Sequence, residues 1–322
     1  MEMSNKLIRL LCMSALVLPL GVTFSTHRVE AAEPEACATV RMSDPGWTDI
    51  TSTNAVAGVL LDALGYKQKV ETLAVPVTFE ALKNGQLDVF LGNWMPAQKR
   101  FVEPLTKSGD IVVLHQNLEQ IRFTLAVPKY VADAGVTSFA DIAKNAEKFD
   151  KKIYGIEPGA PANQNIQKMI TAKQFGLDGW TLVESSEQGM LSQVTRASKR
   201  KDWIVFLAWE PHPMNTNFDL VYLAGGDEYF GANFGASSVY TITRKGYAAD
   251  CPNVAKLMNQ LTFQVPMENA IMGAILDSGT DAKAAAKAYL KGKPELVAPW
   301  LAGVTTRDGQ DGMAAVKKAL GV

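Results

Sequence analysis

Strand-like and helix-like segments alternate along this chain, and that alternation restricts it to an α/β architecture. "TVRMS" (39–43) reads as a strand, followed by a helix-period run from Ile50 to Leu64. "VETLAVP" (70–76) and "LDVFLGN" (87–93) read as strands around a short helix at 79–84. "IVVLHQ" (111–116) and "RFTLAVP" (122–128) follow as two more. The pattern then repeats with "KIYGIEP" (152–158), a helix over 163–174, "WTLVES" (180–185), a helix over 187–199 and "WIVFLAW" (203–209). After "VYTITR" (239–244) the chain is mainly helical, with Ala-rich turns at 282–290 and 313–320. Strands separated by helices of this length predict mixed, mainly parallel sheets.

Two of these strands end alike. "DVFLGNWMP" (88–96) and "IVFLAWEPHP" (204–213) each run an apolar strand into tryptophan and then proline. Proline cannot continue a central strand, so Trp94 and Trp209 are expected in loops just past the strand ends. "SDPGWTDIT" (43–51) supplies a third such place, where Trp47 stands between the first strand and its helix. Ligands of open α/β sheets bind at that edge. Trp180 and Trp203 begin strands and Trp300 sits in an apolar helical context, so these three are read as core.

Residues 1–31 read as a secretory leader. Lys6 and Arg9 supply a positive start, the apolar stretch Leu10–Phe24 is too short to span a bilayer, and Val29-Glu30-Ala31 predicts cleavage after Ala31. A periplasmic protein of ~290 residues is expected, large enough to divide into two lobes. The formal net charge is −1, with no basic block, which argues against nucleic acid or a membrane surface as partner. Export leaves Cys37 and Cys251, which most simply pair as a structural disulfide, worth roughly 5 kcal/mol by chain-entropy reasoning for so long a loop. A metal site would need a partnering histidine cluster, which the chain lacks, so neither metal nor cofactor is expected.

Catalytic constellations are scarce. Beyond the leader only His115 and His212 remain, and no G-x-S-x-G, P-loop, H-E-x-x-H or C-x-x-C motif occurs. "ESSEQGM" (184–190) reads as a helix N-cap with an acidic first turn, His212 as a hydrogen-bonding loop residue and Glu210 as a partner for backbone or arginine. The chain is therefore read as a non-enzyme. The alternative from another class is an exported choline-ester hydrolase with His212 as base.

Aromatic faces converging on one spot suit a quaternary ammonium group. That group has no N–H for a carboxylate, and its charge is spread over methyls. Each ring face offers apolar contact and a negative quadrupole, ~2 kcal/mol when desolvated. A carbohydrate would demand more polar side chains than these loops hold.

"GWTDIT" (46–51), "FLGNWMP" (90–96), "IYGIEPG" (153–159), "VESSEQGM" (183–190) and "WEPHPMN" (209–215), continuing through "DCPNV" (250–254) to "PWLAGV" (299–304), resemble the choline and quaternary-amine substrate-binding proteins of bacterial ABC importers. The resemblance spans nearly the whole mature chain. It implies a two-lobed, type II-like periplasmic binding protein with two chain crossovers: lobe I over 36–120 and 225–322, lobe II over 121–224. It also implies a monomer that delivers its ligand to an ABC permease and ATPase; a sensor presenting ligand to a chemoreceptor would share the chemistry.

The family's four-ring cage carries over to Trp47 and Trp94 from lobe I and Phe123 and Trp209 from lobe II, so that only the closed form completes it. Asp49 carries over as acceptor for a ligand hydroxyl, and the Cys37–Cys251 pairing agrees with the family. Two positions depart from its pattern. Phe123 stands where choline binders carry tyrosine, and Ala160, in "EPGAPAN", where they carry asparagine. Ala160 leaves space, and Pro161, Ala162 and Asn163 open a helix whose N–H groups suit a carboxylate, so carnitine or glycine betaine is the alternative ligand.

Overall fold

The computed structural model describes residues 32–322, and the leader reading lies outside the described residues. Among the described residues nine strands form one curled mixed sheet: β1 Thr39–Asp44, β2 Lys67–Thr72, β3 Val89–Met95, β4 Ile111–Pro128, β5 Lys152–Tyr154, β6 Thr181–Val183, β7 Phe206–Glu210, β8 Leu220–Tyr222 and β9 Ala236–Arg244. Their order is β2-β1-β3-β9-β4-β7-β5-β6, with β8 beside β4. The ends are parallel, β1 with β2 and β3, β5 with β6 and β7. The middle is antiparallel, where β9 and β4 join the two halves.

The longer helices are α1 Thr48–Ala63, α2 Val75–Lys83, α3 Lys99–Ser108, α4 Pro161–Thr171, α5 Glu187–Arg200, α6 Pro252–Gln260, α7 Val265–Leu276, α8 Ala282–Lys291 and α9 Gly312–Leu320. Helix α1 is buried almost all round, between its strands and the C-terminal helices α7 and α8. Its "AVAGVLL" run (55–61) is what such a position demands.

Three expectations need correction. "IVVLHQ" and "RFTLAVP" are one strand, β4, not two. Residues Ile111–Arg122 of it pair with β9, while Arg122–Ala126 pair with β7. The register slips between Leu118 and Ile121, where Gln120 takes a left-handed φ of 59°. "VETLAVP" is not a strand throughout, because Val75-Pro76 opens α2 with proline in the first turn. Finally, Trp94 and Trp209 are not in loops. Each is the penultimate residue of its strand, with the proline one step beyond the end. The strand survives to the residue before proline because only proline's own N–H is missing from the ladder.

Cys37 and Cys251 are bonded, Cα to Cα 5.6 Å, tying the described N-terminus to the start of α6. Gly235 marks a close approach between β9 and β4. A Cβ there would meet the carbonyl of Phe123 at 2.2 Å, and its φ is +74°.

Candidate functional site

The strand ends and the start of α1 meet around a small cavity. Its walls include Trp47, Trp94, Phe123 and Trp209, brought from four different elements. Phe123 on β4 is the register partner of Trp209 on β7, so their rings share one face of the sheet. Its ring centroid lies 6.3 Å from that of Trp209 and 5.6 Å from that of Trp94. Phe230 packs against the Phe123 ring at 6.2 Å. Trp47 precedes α1 and is 7% exposed, so all four rings are buried where they line the cavity.

Asp49 also lines the cavity, from the first turn of α1. Its Oδ2 accepts the Trp94 indole N–H at 3.0 Å, while its buried Oδ1 has no partner. Burial pushes this carboxyl well above the usual carboxylate range, and the charge of Glu187 adds to the shift. Gln98 contributes a second unpaired acceptor. Its amide donates to the Gly92 carbonyl at 2.8 Å, and Oε1 is left buried without a partner. Ala97, Ile156, Pro161 and Ala162 complete the lining. Ala160 is buried at the N-cap of α4, and the cavity wall there is made by Pro161 and Ala162 instead. Asn163 holds the preceding loop, donating to the carbonyls of Ile156 and Glu157 and to Glu184.

Around this cavity the start of α1 is fastened to the other half of the sheet. The Trp47 indole donates to Glu157 at 2.9 Å. The Thr48 backbone N–H donates to Glu187 Oε2 at 2.9 Å, and the Thr48 hydroxyl to Oε1. Glu187 thus caps a helix 139 residues away in sequence, satisfying one of its free N–H groups. Sequence reasoning took Glu187 only as a first-turn acid of α5, and it did not single out Glu157, Gln98, Ala97 or Ile156. Both glutamates lie inside the motifs that carry the family resemblance, which was the one available signal. Burial lifts Glu157 to about 7, with the charges of Glu187 and Glu184 contributing.

His212 is buried, and both its ring nitrogens are engaged. The Met214 N–H donates to Nδ1 at 2.9 Å, which leaves Nε2–H to donate to Glu187 at 3.2 Å. Glu210 accepts from Arg122 at 2.9 Å and Ser186 caps α5, as their sequence context predicts.

The model of the substrate-binding domain of ABC-type glycine betaine transport systems (OpuAC) matches residues 38–292. The chain belongs to this family. An ABC-transporter choline binding protein in complex with choline is 52% identical, with a TM-score of 0.88, covering 89% of this chain and 100% of that one. The unliganded semi-closed form described for an ABC-transporter choline binding protein, at the same identity and coverage, has a TM-score of 0.83. This structure is therefore more similar to the choline-bound form. The glycine betaine/carnitine transport binding protein GbuC of Listeria monocytogenes serotype 1/2a (strain 10403S) is 33% identical over 165 residues, 51% of this chain and 54% of that protein. Members of the family are substrate-binding proteins of transport systems, with the two-lobed fold of periplasmic binding proteins. The curled sheet joined through β4 and β9 is this chain's version of that fold.

Proposed function

We propose that this protein captures choline in the cavity between its two lobes and delivers it to an ABC permease and ATPase. Lobe I comprises residues 36–120 and 225–322, and lobe II residues 121–224. The register slip of β4 at 118–121 supports the first crossover there. The protein acts as a periplasmic monomer without cofactor, released by cleavage after Ala31.

The observation that carries the choice of ligand is the pairing of four ring faces with two unpaired acceptors. Asp49 Oδ1 and Gln98 Oε1 are unpaired, while the indole N–H groups of Trp47 and Trp94 are already spent on Glu157 and Asp49. A trimethylammonium group suits the rings, and a ligand hydroxyl donates to Asp49. Phe123 supplies a ring face without the hydroxyl of a tyrosine.

Carnitine or glycine betaine remains the second reading, favoured by Pro161 and Ala162 bringing the N-terminus of α4 to the wall. A ligand carboxylate would there share the cavity with Asp49, and the lining residues include no lysine or arginine to offset it. Hydrolysis of a choline ester is disfavoured by His212, whose Nδ1 lone pair is taken by Met214 and whose Nε2–H points at Glu187, leaving no basic nitrogen free. Calorimetric titration against choline, carnitine and glycine betaine tests the reading, with choline expected to bind tightest. No heat and no tryptophan fluorescence change with any of the three would overturn it.

A further inference from the structure

Trp47 and Asp49 flank Thr48, and the direct bonds that hold this tripeptide to the far side of the cleft end on two glutamates. Glu187 takes three donors: the Thr48 N–H, the Thr48 hydroxyl and His212 Nε2. Of these, His212 belongs to its own lobe and stays with it in any arrangement. The two Thr48 bonds exist only when the lobes meet, as does the bond from Trp47 to Glu157.

We infer that Glu187 is a positioning residue that latches the closed form, locking Trp47 and Asp49 in their cavity-facing places while touching no ligand. His212 is the rest on which the latch is set. With Nδ1 held by Met214, its Nε2–H aims the Glu187 carboxylate before closure. Glu157 is the second catch, with Oε2 on the Trp47 indole.

The latch also favours cations. Closing brings Glu187 and Glu157 toward Asp44, at the end of β1, and Asp49, in the first turn of α1, both buried. A positive group in the cavity offsets that convergence of acids; a neutral or anionic occupant does not. This last point rests on the reading of the ligand as a quaternary ammonium, whereas the latch itself needs only the two lobes.

The test uses the mature chain with fluorophores at Val77→Cys on lobe I and Lys199→Cys on lobe II, both exposed sites. Single-molecule transfer histograms are collected with and without choline, and stopped-flow tryptophan fluorescence gives kon and koff. Glu187→Ala is expected to raise koff for choline at least tenfold while kon changes less than twofold. It should also shrink the high-transfer population at least fivefold, with or without ligand. Thr48→Val, which removes only the hydroxyl donor, should show a smaller change in the same direction, and serves if Glu187→Ala fails to fold. Unchanged koff and unchanged histograms in the variants overturn the latch. A wild-type protein that never populates the high-transfer state overturns it too. If wild type ignores choline yet its high-transfer population depends on Glu187, the ligand reading fails and the latch stands.

Discussion

Trp94 and Asp49 meet through one hydrogen bond, indole N–H to carboxylate, buried at 3.0 Å. It fixes the ring that forms a wall and leaves the second carboxylate oxygen as the free acceptor of the cavity. The same carboxyl is costly to the fold, because burial disfavours its charge. Asp49→Asn keeps an acceptor for Trp94 and removes the charge. Its affinity for choline should fall roughly 10- to 100-fold, the range for losing a hydrogen bond to a charged group. Its ligand-free melting temperature should not fall. A parallel loss of both, by calorimetry and thermal melts, would make Asp49 structural.

Trp209 gives the cage a ring but holds no polar partner in the cavity. Trp209→Ala should weaken choline binding at least tenfold, about 1.4 kcal/mol, in keeping with one desolvated cation–π contact. Titration checks this, and an unchanged constant removes Trp209 from the cage.

Acidity should tune capture around neutrality. Glu157 is raised by burial from the ordinary 4.5 to about 7, so in the ligand-free fold the neutral form is favoured. Its contribution to stability is full below about 4.5 and is lost as pH rises through about 7. A cationic ligand has the opposite preference, for the charged carboxylate. Affinity for choline should therefore rise between pH 5.5 and 8, with protons released on binding. Titrations in buffers of different ionisation heat measure that release. Glu157→Gln should flatten the profile, and a flat wild-type profile would count against coupling between the bound cation and Glu157.

Removing the disulfide tests the staple. Cys37→Ser with Cys251→Ser opens a loop spanning 214 residues, and should lower unfolding stability by about 2–5 kcal/mol in denaturant. The bond joins the segments at Cys37 and α6, while the cavity lies at the strand ends, so choline affinity should change less than twofold.

Much of this site was legible because strand and proline announce themselves locally. An apolar run stopped by proline located Trp94 and Trp209 to within a residue, and erred only in putting them past the strand end. Phe123 carries no such mark. It sits mid-strand in an ordinary alternating run, and only family resemblance drew attention to it. The Glu187–Thr48 and Glu157–Trp47 bonds were illegible, since each joins residues more than a hundred apart, and a first-turn glutamate looks the same whether it serves its own helix or another. The single β4 was missed for a related reason. The polar "NLE" (117–119) reads as a break, yet Asn117 is buried there, its side chain donating to the Leu91 carbonyl and the Thr241 hydroxyl. Acceptors supplied from β3 and β9, which no local pattern reveals, let the strand run on.

One strand shared by both halves of the sheet means the protein cannot be divided there by a protease or a gene designer. Cutting β4 near Gln120 would leave lobe I without the rest of a strand that β9 pairs as far as Arg122. It would leave lobe II with its β7 and β8 ladders resting on a new chain end. Each fragment would expose a raw sheet edge, the surface that invites strand-to-strand aggregation. The two halves of the sheet are held by one strand and must be inherited as one.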